Sequence, residues 1–203
     1  KGLGIIVGWS LDDALALYSN LLVAEIDPIT DKTELATLAN WCGKYTPFVA
    51  LDESGVAIGE RGLWLDITGC AHLFGGEKKL LKDMINRLSC VGWTIRGTIA
   101  DTPGAAWALT RCNVLPSQII ERGSQQTAIS NLPIMALRLP EALVEDLSKV
   151  GLRQIKSLFP IDRAALRARF GTIVRKRLDQ ALGLEVEPIS PRLYHSPDLV
   201  RFV

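Results

Sequence analysis

Gly62-Leu63-Trp64-Leu65-Asp66-Ile67-Thr68-Gly69 is the stretch from which the fold can be read. Its apolar residues crowd together and stop at a Thr-Gly pair, the composition of a buried strand running into a turn. Upstream, Phe48-Val49-Ala50-Leu51 has the same character, and Asp52-Glu53-Ser54-Gly55 supplies turn residues after it. Two strands joined by a short polar loop predict an antiparallel hairpin.

Working outward, Asp31 to Tyr45 places Leu35, Leu38, Ala39 and Cys42 at helical spacing, and Pro47 ends the pattern. After Gly75-Gly76, Glu77 to Leu88 predicts a helix with Leu80, Leu81, Met84 and Ile85 on one face. Trp93 to Ala100 follows as a third strand, and Pro103 to Cys112 as a helix with proline in its first turn. This order implies an α+β layer with helices over one face of a sheet. Nearer the start, Ser10 caps a short helix with Asp12 and Asp13 in its first turn. The glycines from Gly2 to Gly8 lack the strand and Gly-x-Gly-x-x-Gly order of a dinucleotide site. Beginning at Lys1 in mid-pattern gives the expectation of a fragment.

The chain has 203 residues, 48% of them apolar and 22% charged, which is the make-up of a packed core and not of a disordered segment. No apolar run approaches the roughly 20 residues that cross a bilayer, and no signal-peptide order is present, so a soluble, cytoplasmic protein is expected. Cys42, Cys70, Cys90 and Cys112 stand far apart with only His72 and His195 to help. Buried apolar thiols in a reducing compartment are therefore expected, with no metal and no cofactor. The Cys70-x-His72 pair is too sparse for zinc. Trp41, Trp64, Trp93 and Trp107 fall in predicted elements and are assigned to packing.

From Ile129 the pattern becomes helical and rich in Leu and Arg, punctuated by Pro133, Pro140 and Pro160, with Gly151 and Gly171 at helix ends. Residues 138–182 carry ten basic and five acidic side chains, although the whole chain has a net charge of only +1. A local basic excess points to a polyanion partner more strongly than total charge does. Three prolines between Glu185 and Pro197 mark that stretch as a linker.

Taken in order, the Leu65-Asp66-Ile67-Thr68 strand, the Gly97-Thr98-Ile99-Ala100 strand entering a helix, and Leu147 to Gly151 followed by Leu152 to Leu158 resemble the palm and thumb of Y-family translesion DNA polymerases. Leu65 to Glu77 with Ala100 to Ala108 is similar, more narrowly, to the ImuB-type, polymerase-like branch of that family, which serves bacterial SOS mutagenesis. The resemblance implies a fingers remnant over 1–30, an α+β palm over 31–128, a small all-helical thumb of helix-hairpin-helix type over 129–184, and a linker over 185–203 towards a little-finger domain. It also implies a non-catalytic role, with DNA, an ImuA-like RecA-fold protein, a DnaE-type error-prone polymerase and the sliding clamp as partners.

Nucleotidyl transfer by two divalent ions needs several converging carboxylates. In the family's strand, the metal-binding Asp and Glu fall on Arg61 and Gly62 here. Asp66 stands four residues beyond Gly62 on a strand rising about 3.3 Å per residue, so it lies roughly 13 Å from the required point. It is read as a structural carboxylate bonding backbone or a helix start. Thr102-Pro103 and Trp107 replace family residues that include cationic phosphate contacts, and the family's first-strand Asp would precede Lys1. An active enzyme recruiting Asp66 or Glu60 is the first alternative.

The thumb hairpins of the family grip phosphates with backbone amides. Here the expected Gly-x-Gly falls on Arg138-Leu139-Pro140, and Pro140 has no amide hydrogen. The remaining candidates for non-specific, salt-sensitive DNA contact are Lys149, Gly151, Arg153, Lys156, Arg167, Arg169, Arg175, Lys176 and Arg177, with Arg163 beside them. A plain DNA-binding module built on residues 138–182 is the second alternative. Gln154 to Phe159 also resembles a clamp-docking peptide, but Ile155, Leu158 and Phe159 sit at core spacing, so clamp contact is expected from regions outside this chain.

Overall fold

The computed structural model describes residues 4–5, 8–52, 62–112, 115 and 117–192. Its contacts divide the chain after Glu34. The first unit holds α1, Leu11–Leu17, whose predicted cap is present: Ser10 Oγ accepts from the Asp13 amide at 3.1 Å. The next helix, α2, spans Pro28–Cys42. It starts three residues earlier than its apolar spacing predicts, because the Asp27 carboxylate accepts the Ile29 and Thr30 amides and Pro28 fills the first turn.

In the larger unit, β1 (Val49–Leu51) and β2 (Leu63–Leu65) form the predicted antiparallel hairpin, with Val49 opposite Leu65 and Leu51 opposite Leu63. The turn predicted at Asp52 to Gly55 falls largely outside the described residues. One side of the hairpin packs against Ala39, Cys42, Leu38 and Trp41 of α2. Strand β2 stops at Leu65 because Asp66 folds its carboxylate back onto the Thr68 amide at 2.9 Å, and the Thr46 hydroxyl donates to the Asp66 carbonyl. The structural role expected of Asp66 is what this turn provides.

A 3₁₀ turn over Ala71–Phe74 leads into α3, Glu77–Cys90, which buries Leu80, Leu81 and Leu88. The expected third strand is reduced to β3, Gly97–Ile99, and pairs in parallel with β4, Ser117–Ile119. Between them runs α4, Pro103–Cys112, with the bounds its sequence predicts. The Thr102 hydroxyl caps it, accepting the Ala105 amide at 3.2 Å while donating to the Ala181 carbonyl at 2.9 Å. In place of one sheet the described residues form two short ladders, one antiparallel and one parallel.

From Gln125 to Leu182 the chain is helical: α5 (Gln125–Ile129), a second 3₁₀ turn (Ile134–Leu137), α6 (Glu141–Lys149), a third 3₁₀ turn (Ile155–Leu158), α7 (Arg163–Phe170) and α8 (Thr172–Leu182). The second and third 3₁₀ turns are clasped by backbone bonds from Ile134 to Arg153, Ile155 to Leu132 and Lys156 to Ser130, at 2.9–3.0 Å. Ile155 and Leu158 are fully buried, so the clamp-like string serves the core. That core joins Ala105, Ala108 and Leu109 of α4 to Leu147, Leu166, Val174 and Leu178 of the later helices.

Two packing expectations are corrected. Only Cys42 is buried; Cys70 and Cys112 are half-buried and Cys90, in the last turn of α3, is exposed. Trp93 is also exposed, since the chain there is not in a strand. Among the described residues no helix is long and apolar enough to cross a membrane.

Candidate nucleic-acid interface

Asp52 follows β1 and its amide donates to the Gly62 carbonyl at 2.9 Å, continuing the hairpin by one rung. Its carboxylate, only 5% exposed, accepts Trp107 Nε1–H at 2.9 Å and the Arg111 guanidinium at 3.5 Å. Trp107 and Arg111 are one turn apart on α4, so a single helix face brings both to Asp52. A β-carbon added to Gly62 would meet that Arg111 guanidinium at 3.4 Å and the Asp52 β-carbon at 4.0 Å. A side chain at position 62 would thus start in van der Waals contact with a cation.

A pair of divalent metals does not fit the described residues at this place. Gly62 offers no side chain, and Arg111 adds positive charge where metal ions need carboxylates. Among the described residues no group of three His, Cys, Asp or Glu side chains comes together to hold a metal ion. Arg61 lies outside the described residues.

Near Trp107 lies Arg138, at the end of the 3₁₀ turn Ile134–Leu137, with φ 56° and ψ 39°. It takes the left-handed conformation that glycine prefers, at a cost of about 1 kcal/mol for a side-chain-bearing residue. In return its side chain turns inward. The guanidinium, on a side chain 6% exposed, lies 5.7 Å from the Trp64 ring centre and 5.8 Å from that of Trp107, and donates to Glu187 at 2.7 Å. Arg177 of α8 donates to the same carboxylate at 2.9 Å. Burial first, then the neighbouring Arg138 cation, holds the Arg177 guanidinium below its ordinary range.

The basic candidates separate by their partners. Arg175 is tied to Asp179 at 2.9 Å and Glu185 at 3.2 Å, and Arg163 reaches the same buried Asp179 at 2.8 Å. Arg177 is held by Glu187, so neither Arg175 nor Arg177 stands clear for an outside anion. Lys149 pairs with Asp146 at 3.0 Å, Lys156 with the Asn131 side chain at 2.9 Å, and Arg169 lies 5.3 Å from the Phe170 ring. Arg153, Arg167 and Lys176 are exposed and make no ion pair among the described residues. Gly151 is exposed at the hairpin after α6 with φ +84°, but its amide bonds to the Ser148 carbonyl at 3.0 Å instead of pointing outward. Asp52, Arg111 and Glu187 were not legible as partners, because each contact joins residues far apart in sequence; the i,i+4 spacing of Trp107 and Arg111 was the one local signal.

The described residues superpose on solved polymerases. A DinB family error prone DNA polymerase from Sulfolobus solfataricus matches with a TM-score of 0.70 and 16% identity, covering 93% of this chain and 56% of that one. A Dbh ternary complex matches with the same figures, and DinB from Sulfolobus solfataricus gives a TM-score of 0.62 at 14% identity. In sequence, the chain is 42% identical over 195 residues, 96% of its length, to Protein ImuB from two strains of Caulobacter vibrioides. The chain is ImuB-like in sequence and Y-family in fold. No protein-family model matches it. The chain spans 41% of the length of those ImuB relatives, and the same stretch carries both the Arg111–Asp52 pair and the basic helices.

Proposed function

We propose that this chain is the non-catalytic palm and thumb of a polymerase-like scaffold in bacterial error-prone translesion synthesis, and that it contacts DNA through phosphates. The observation carrying this reading is the Arg111 guanidinium, 3.4 Å from where a side chain at Gly62 would start and paired to Asp52. An ion pair lies against the point where a side chain at position 62 would begin. In this reading residues 31–128 act as palm, 129–184 as thumb, 1–30 as a fingers remnant and 185–203 as the connection onward. The protein is cytoplasmic, and its partners are an ImuA-like RecA-fold protein, a DnaE-type polymerase that performs synthesis, and the sliding clamp bound through other regions.

Primer extension by the full-length protein with magnesium or manganese tests the non-catalytic part. No incorporation is expected; incorporation that disappears on Asp66→Ala overturns it. The module alternative fits less well, because residues 129–185 alone would strip Ala105, Ala108 and Leu109 from the shared core. Co-purification with each named partner from a reconstituted mixture tests the scaffold role, and capture of none of them removes it.

A further inference from the structure

After α8 the chain turns at Gly183, φ 78°, and runs to Arg192 without helix or strand. The Leu184 and Glu185 amides bond to the Asp179 carbonyl at 2.8 and 3.2 Å, and the Arg192 amide reaches the Val49 carbonyl at 2.8 Å. Between these ends the segment is fastened by charge. Glu185 pairs with Arg175, and Glu187 sits between Arg138 and Arg177. Leu184 and Val186 are 70% and 85% exposed, so apolar burial of those two side chains does little to hold it.

Glu187 is an incomplete partner for the arginines that hold it. Nε of Arg138 and Nε of Arg177 are both buried with no hydrogen-bond acceptor among the described residues. A carboxylate has two oxygens, whereas each guanidinium presents five N–H donors in a fixed fork. A phosphate group offers more acceptor oxygens in a geometry that such forks fit bidentately. Two like charges converging on one anion also mark a seat built for negative charge, since without the anion they repel.

We propose that Arg138 and Arg177 form a seat for a nucleic-acid backbone phosphate, closed in this structure by Glu187 acting as a tethered competitor. The proposal rests on the DNA-contact reading above and adds its regulation. With the strap in place, DNA meets only exposed cations such as Arg153, Arg167 and Lys176. With the strap displaced, Arg138 and Arg177 join them.

The test uses the full chain, a short DNA duplex and fluorescence anisotropy across a salt series. Glu187→Gln is expected to tighten binding about tenfold at low salt and to steepen the log K against log salt slope by the equivalent of about one phosphate. Arg138→Gln with Arg177→Gln in that background is expected to erase the gain. Because these variants can lose fold stability, hydrogen exchange on the unaltered protein gives a second reading. Duplex is expected to speed exchange at the Leu184, Glu185 and Arg192 amides, while inorganic phosphate at matched ionic strength is not. Wild-type binding with the strap amides still protected, or no gain from Glu187→Gln, overturns the seat and leaves DNA contact standing. Strap release by inorganic phosphate alone overturns the assignment to a backbone phosphate. No duplex binding by wild type or variant removes the underlying reading and the seat with it.

Discussion

A β-carbon on Gly104 would stand 2.8 Å from Cα of Ala181, so helices α4 and α8 meet backbone to backbone at this point. The Thr102 hydroxyl bonds the Ala181 carbonyl beside it, fixing the approach. Gly104→Ala is therefore expected to lower stability by about 1–3 kcal/mol, the range for overpacking a tight interior, because neither backbone can yield locally. Urea denaturation followed by tryptophan fluorescence reads this; an unchanged midpoint would show that the helices can part freely.

Restoring a carboxylate at position 62 is expected not to restore a metal site. The side chain of Gly62→Glu would grow against the Arg111 guanidinium and pair with it. Calorimetric titration with manganese is expected to show no more binding than the parent chain, and primer extension to stay absent. Manganese uptake by the single variant would contradict the blocking role given to Arg111.

Alkaline pH should loosen the α2–hairpin packing. Burial pushes the Cys42 thiol up to about 11 from its usual 9.0, and burial also raises the Tyr45 phenol. The sign is that of a folded pKa above the unfolded one: the stabilising contribution is complete below about pH 9 and is lost as pH rises through 11. Denaturation midpoints are expected to fall across that window, less steeply in Cys42→Ala. With a thiol reagent at pH 8, Cys90 is expected to label first and Cys42 only on unfolding.

For the exposed cations, charge removal should act through counterions. Arg153→Ala, Arg167→Ala and Lys176→Ala are each expected to reduce the salt slope of duplex binding by about 0.9 for every phosphate no longer neutralised, without sequence preference. Anisotropy titrations at several salt concentrations measure it. Equal slopes in the triple variant and the parent would place the DNA contact elsewhere.

What the sequence disclosed depended on how local its cause was. Helix α4 was legible to the residue because Pro103 acts within one turn, and the Thr102 cap found in the structure agrees with it. The hairpin was legible because its strands alternate with turn residues nearby. Strand β4 was not, since Ser117-Gln118-Ile119 is too short and too polar to show periodicity and owes its form to pairing with β3. At the site, basic residues could be counted but their partners could not. Arg138 looked like a lost hairpin glycine and is instead a buried guanidinium over two tryptophans, while Arg175 and Arg177 answer to carboxylates that follow α8.

The clasp between the 3₁₀ turns Ile134–Leu137 and Ile155–Leu158 is local in a way that the docking of α4 is not. It closes a loop of only about twenty residues, a small entropic cost, whereas the bond from Thr102 to Ala181 joins positions 79 apart. Short-range closure of this kind is the faster event. The clasp can therefore close without α4, while the core that the later helices share is complete only with Ala105, Ala108 and Leu109 of α4 in place.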